Sequence, residues 1–132
     1  MAQKTLLAIV ELGGYPDFTS DYERHGFSVT RVDSVRKALR VIQKKIPDVI
    51  VTEFNFQSDF RDRTSSIETL MASLQPLNSQ PLLVVFFEPQ YQIQFNQVRD
   101  RFTIDHALSF PINRDELVRC LVSIGALNRS SA

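Results

Sequence analysis

The sequence predicts an α/β domain of five βα units, a three-layer sandwich whose parallel five-stranded sheet runs in the order 2-1-3-4-5. Three observations predict it. Apolar runs of strand length alternate five times with segments of helical period, and parallel strands need such crossovers between them. The first, third and fourth runs are continuously apolar, as in strands covered on both faces, whereas the second and fifth are mixed, as at sheet edges. With right-handed crossovers dominant, the order 2-1-3-4-5 places the most apolar runs inside. The length of 132 residues suits one domain, large enough to bury a core without disulfides or metal. Residues 1–127 form that domain, and Asn128 to Ala132 reads as a tail or the start of a linker.

Leu6 to Val10 is the first strand, closed by Gly13-Gly14. Pro16 suits the first turn of a short helix in which Phe18, Tyr22 and His25 share a face and Gly26 is the left-handed residue at its end. Phe27 to Val32 alternates apolar and polar residues, the pattern of a half-exposed edge strand. Asp33 or Ser34 caps the second helix, with Val35, Ala38, Leu39, Ile42 and Ile46 inward, Arg36, Lys37, Arg40, Lys44 and Lys45 outward, and Pro47 as its stop. Val49-Ile50-Val51 is the third strand and carries Glu53 to its C-terminal end. After a polar loop from Asn55 to Thr64, Ser65-Ser66-Ile67-Glu68 reads as a capping box for a helix with Ile67, Leu70, Met71 and Leu74 on one face. Pro81 to Phe87 is the most apolar run and therefore central. Tyr91, Phe95, Val98 and Phe102 lie on one face of a fourth helix, and His106 to Phe110 is the last edge strand. Asn113 or the residues after it cap a fifth helix, with Leu117, Cys120, Leu121 and Ile124 inward.

Composition excludes several classes. Fifteen Lys and Arg balance fifteen Asp and Glu, so no general attraction to nucleic acid or to an anionic membrane is expected. The apolar run near the start is too short for a signal sequence or a membrane span, and a cytoplasmic protein is expected. Cys120 has no partner for an internal disulfide and reads as a small buried hydrophobe. His25 and His106 are isolated, with no second His or Cys at ligand spacing, which argues against a metal site.

The segment Pro47-Asp48-Val49-Ile50-Val51-Thr52-Glu53 resembles the third strand of response-regulator receiver domains, which is written P-D, then three or four apolar residues, ending in an aspartate. The resemblance runs from Thr5 to about Leu127 and implies a flavodoxin-like fold and a place in bacterial-type signalling. In that family the first strand ends in an acidic pair that helps bind Mg²⁺, the third in the phosphoacceptor, the fourth in a hydroxyl residue, and the fifth in a lysine followed by proline. Here Glu11 matches the first acid and Leu12 stands in place of the second. Glu53 takes the phosphoacceptor position, Phe86 the hydroxyl position and Phe110 the lysine position, while Pro111 matches the proline and implies a cis Phe110-Pro111 bond. Ala107 stands near the family's switch aromatic.

Phosphoryl transfer to a receiver needs a carboxylate, a cation held by hard oxygens, and polar groups for the product's oxygens. A dianion beside Phe86 and Phe110 is desolvated without compensation. The chain therefore reads as a degenerate receiver, a pseudo-receiver that is not an enzyme, takes no cofactor and binds a signalling protein, an appended output domain or a second copy. Glu53 has two readings, a fixed mimic of the phosphorylated state or a partly solvated strand-end acid paired with Arg61 or Arg63.

Other features carry an alternative. Phe54, Phe56, Phe86, Phe87 and Phe110 sit at or just past the ends of strands three to five, where open α/β sheets bind ligands. They read either as a plug filling the vacated acidic cleft or as a rim that senses a small ligand or nucleotide. Gly13-Gly14 lacks the rest of a phosphate-binding fingerprint, and Glu11 with Glu53 lacks the electrophile, metal or nucleophile of an acid–base site. The basic stripe of the second helix reads as a solvated face or a grip for an acidic partner. The expected working surface lies on helix four, strand five and helix five, the face receivers commonly use for dimers and outputs. There Ile93 and Gln97, with Val118 and Val122, are apolar or uncharged and cheap to desolvate.

Overall fold

The computed structural model describes residues 4–11, 17–54, 66–76 and 80–130. Five strands, β1 (Lys4–Ile9), β2 (Phe27–Val32), β3 (Val49–Glu53), β4 (Leu82–Phe87) and β5 (His106–Ser109), alternate with five helices. These are α1 (Thr19–Arg24), α2 (Val35–Lys44), α3 (Ser66–Leu74), α4 (Gln92–Arg101) and α5 (Arg114–Ser130), and a 3-10 turn, Pro89–Tyr91, leads into α4. All strand pairs are parallel and the order is β2-β1-β3-β4-β5. This is the expected arrangement: the continuously apolar strands lie inside and the two mixed ones at the edges.

Alternation along the strands divides the core into two layers, because successive side chains point to opposite faces of a sheet. Leu7, Ile9, Ile50, Leu83, Val85 and Phe87 face α2, α3 and α4, meeting Ala38, Ile42, Leu70, Leu74, Phe95 and Val98. Leu6, Ala8, Val49, Val51, Val84 and Phe86 face α1 and α5, meeting Phe18, Tyr22, Leu117, Leu121 and Ile124. Cys120 packs against this second layer half-buried, and burial, with Glu116 beside it, holds its thiol above the usual range.

Local chemistry sets the ends. Ser34 caps α2 by accepting from the Lys37 N–H at 3.1 Å, so Ser34 rather than Asp33 holds the cap. Asn113 Oδ1 accepts from the N–H groups of Asp115 and Glu116 at 2.8 and 3.2 Å and starts α5. Gly26 follows α1 at φ +92°, the left-handed position that favours glycine. The Asp48 carboxylate accepts from the Thr5 N–H at 2.8 Å, and the Asp48 N–H donates back to Thr5 O, so the Pro47-Asp48 pair ties the start of β3 to β1.

Several details differ from the sequence reading: β1 runs Lys4–Ile9 and stops before Val10, and His25 follows α1 exposed instead of facing inward. β5 ends at Ser109, one residue short of Phe110, although the Phe110 N–H still donates to Phe87 O at 2.9 Å. α5 continues through Asn128 to Ser130, since nothing in Ala126 to Ser130 breaks a helix. In α4 only Phe95 and Val98 are buried, while Tyr91 and Phe102 at its two ends are half-buried against the same layer. The Phe110–Pro111 peptide bond is cis. Leu12, Gly13-Gly14, Pro16, the Asn55 to Thr64 loop with Phe56, Arg61 and Arg63, and Ser65 of the capping box lie outside the described residues.

Candidate functional site at the C-terminal end of the sheet

The strand register brings the matched positions together. Glu53, last in β3, stands opposite Phe86 of β4, and the Phe54 N–H donates to Phe86 O at 2.7 Å. Phe86 is 1% exposed. Its ring meets Phe18 edge-on at 6.3 Å and Phe110 edge-on at 6.1 Å, both near perpendicular, the T-shaped arrangement that aromatic quadrupoles favour. Three rings thus run from the start of α1, across the end of β4, to the residue after β5. Phe86 and Phe110 are the residues that the resemblance in sequence sets at the hydroxyl and lysine positions.

Glu53 is 2% exposed, which corrects the expectation of a partly solvated acid: at the end of β3 its side chain lies on the same face of the sheet as Phe86, on the α1/α5 side. Glu11, two residues beyond β1, is half-buried. A cleft of about 20 Å³ lined by Val10, Asp17, Phe18, Thr19, Tyr22, Arg31 and Val51 among others lies on the α1 side and has room for about one water. Mg²⁺ demands octahedral oxygen ligands and keeps several waters. A buried Glu53 beside a wall of rings does not fit that ion, and no group of three or more His, Cys, Asp or Glu able to hold a metal occurs among the described residues.

The aromatic residues at this end do not form one rim. Phe86 and Phe110 belong to the α1/α5 side, whereas Phe54 and Phe87 lie on the other face of the sheet, where Phe95 stacks on Phe87 at 4.5 Å and meets Phe54 at 5.4 Å. Strand alternation separates residues that are neighbours in sequence.

Residues the sequence reading passed over complete the site. Asp21 of α1 is buried and its Oδ2 accepts no hydrogen bond, but Arg114 Nε of α5 lies 3.4 Å away and the same guanidinium sits over the Phe18 ring at 5.9 Å. The signal available was Phe18 on the inward face of α1; that it reaches Phe86 depends on how α1 packs, which no local pattern encodes. Asp17 accepts from the Thr19 hydroxyl and N–H at 2.6 and 2.9 Å and pairs with Arg31 at 3.2 Å. The Thr19 bonds, then Arg31, hold its carboxyl below the usual range. Burial, followed by the charges of Asp17 and Asp21, pushes the Tyr22 phenol well above its ordinary value. The Thr52 hydroxyl is buried with no hydrogen-bond partner.

Of the expected working surface, Ile93 is 72% and Val122 56% exposed. Gln97 is exposed, whereas Val118 and Gln94 are half-buried. Ala107 is half-buried against the α4 side.

No family model matches the chain, and no curated protein does. Solved structures do. The N-terminal domain of an uncharacterized protein from Wolinella succinogenes is 14% identical, with 99% of this chain and all of that chain covered at a TM-score of 0.78. A response-regulator receiver domain protein from Clostridium thermocellum is 14% identical over 98% of each chain at 0.72. A protein from the streptococci, of a family of redox sensors evolved from two-component response regulators, is 16% identical over 92% of this chain and 50% of its own at 0.74. The chain has the flavodoxin-like fold of response-regulator receiver domains. No helix among the described residues is long and apolar enough to cross a membrane.

Proposed function

We propose that this chain is a pseudo-receiver, a signalling module on the receiver fold that works by binding protein and without phosphorylation, catalysis or a cofactor. The observation that carries the reading is the Phe18–Phe86–Phe110 chain of rings, which occupies the end of the sheet where phosphoryl chemistry needs water, a cation and polar donors. A buried Glu53 opposite Phe86 supports it, since an added dianion there loses its hydration. The streptococcal redox sensors are a precedent for a different input on this fold.

In this reading the output is an interface centred on Ile93, Gln97, Val118 and Val122, which meets an apolar patch of a signalling protein, an appended output domain or a second copy in the cytoplasm. Large exposed apolar side chains with uncharged neighbours are inexpensive to desolvate. Sedimentation velocity with and without Mg²⁺ and beryllofluoride tests the independence from phosphorylation. The same oligomeric state is expected in every condition, and a Mg²⁺- and beryllofluoride-dependent change of state overturns the proposal.

A further inference from the structure

The outer face of α2 carries a run of cationic side chains with no acid among them. Arg36, Lys37, Arg40, Lys44 and Lys45 are all exposed, and no acid occurs within the helix. Several basic side chains elsewhere are engaged: Arg31 with Asp17, Arg114 with Asp21 and Phe18, Arg99 with the Phe95 ring, and Arg101 with the Phe102 ring. Among the described residues, the basic side chain of α2 with an ion-pair partner is Lys37, with Asp33 at 2.9 Å. The side chains of Arg36, Arg40, Lys44 and Lys45 make no ion pair or hydrogen bond among the described residues.

We infer that this face is a docking surface for an acidic helix of a partner protein, separate from the apolar face at the other edge of the sheet and independent of whether the chain is phosphorylated. Arg36, Arg40 and Lys44 follow one another at four-residue steps, a rise of about 6 Å per step. A partner helix with carboxylates at i, i+4 and i+8 has the same repeat, so three pairs form at once in a single register.

Two other anionic partners fit less well. The patch is one helix long and is closed by exposed acids, Asp33 before it and Asp48 after it, in a chain of zero net charge. A nucleic acid rewards a long basic track and a positive overall field, and here its phosphates meet carboxylates at both ends. A membrane needs an apolar flank to insert, but Val35, Ala38 and Ile42 are spent on the core.

The test uses the whole chain and a fluorescein-labelled helical peptide carrying Glu at i, i+4 and i+8, read by anisotropy. Binding is expected to weaken as salt rises from about 50 to 200 mM, as screening of exposed charges requires. Arg36→Glu with Arg40→Glu is expected to lower affinity by roughly tenfold or more, because two attractive exposed pairs become repulsive. Its melting temperature should be unchanged, and Arg36→Gln with Arg40→Gln provides a milder variant with a smaller loss in the same direction. The oligomeric state of the chain should not change. Absence of binding at low salt, or equal affinity for the peptide with Gln in place of Glu or for the charge-reversed protein, overturns the inference. Tighter binding of a DNA duplex or of phosphatidylserine vesicles at the same ionic strength also overturns it.

Discussion

Truncating Phe86 to alanine removes the middle ring of the three that close the C-terminal end of the sheet. Phe86 is 1% exposed and sits in an interior strand opposite Glu53 on one side and Leu108 on the other, so the site has little freedom to collapse around the space left. Burying a phenylalanine and then deleting it costs about 3–5 kcal/mol. The upper half of that range is expected, because two edge-to-face contacts, with Phe18 and Phe110, are lost together and each is worth about 0.5–1.5 kcal/mol beyond area. Against a total stability of about 5–15 kcal/mol, the variant should remain folded at room temperature but melt on the order of 10–20 °C lower. Urea unfolding followed by circular dichroism reads the loss directly, with the slope unchanged if both states keep their extent. Phe110→Ala, at a half-buried ring, should cost about half as much, and the double variant should show a coupling of about 0.5–1.5 kcal/mol. A loss below about 1 kcal/mol for Phe86→Ala, or no coupling to Phe110, refutes the claim that the rings act as a packed plug.

Two further outcomes follow from other parts of the molecule. Ile93→Asp together with Val122→Asp should turn a dimer into a monomer, or abolish partner binding, with a nearly unchanged melting temperature, since both side chains are largely exposed; sedimentation and a thermal melt check this, and a large loss of stability would show that the residues belong to the core. Asp17, whose folded pKa lies below its ordinary 3.8, takes up a proton at higher pH in the unfolded chain than in the folded one. Its contribution is therefore fully present above about pH 4 and lost as pH falls through the lowered folded value, so the stability difference between the wild type and Asp17→Asn should shrink in acid.

The sheet order was legible because its cause is local: β1, β3 and β4 read as continuous apolar runs, and β2 and β5 do not. The caps of α2 and α5 were legible to within a residue, since Ser34 and Asn113 act on N–H groups two or three positions away. The matched site was legible only as positions. That Glu53, the last residue of β3, lies buried opposite Phe86 of β4 is a tertiary fact. The clustered phenylalanines read in sequence as a plug or a rim, and of those described a period of two sends Phe86 to the α1/α5 side and Phe54 and Phe87 to the other. The Asp21–Arg114 pair joins α1 to α5 across most of the chain, and no spacing rule reaches that far. Asp48 carried the resemblance as part of a motif, while its carboxylate serves the backbone of Thr5.

The central claim is that this receiver fold does not carry phosphate, and intact mass spectrometry after incubation with acetyl phosphate and Mg²⁺ tests it most directly. The account predicts an unmodified mass, because Glu53 is buried opposite Phe86, whose ring meets Phe110 edge-on. A stoichiometric, hydroxylamine-labile phosphoryl group that disappears in Glu53→Gln would contradict it.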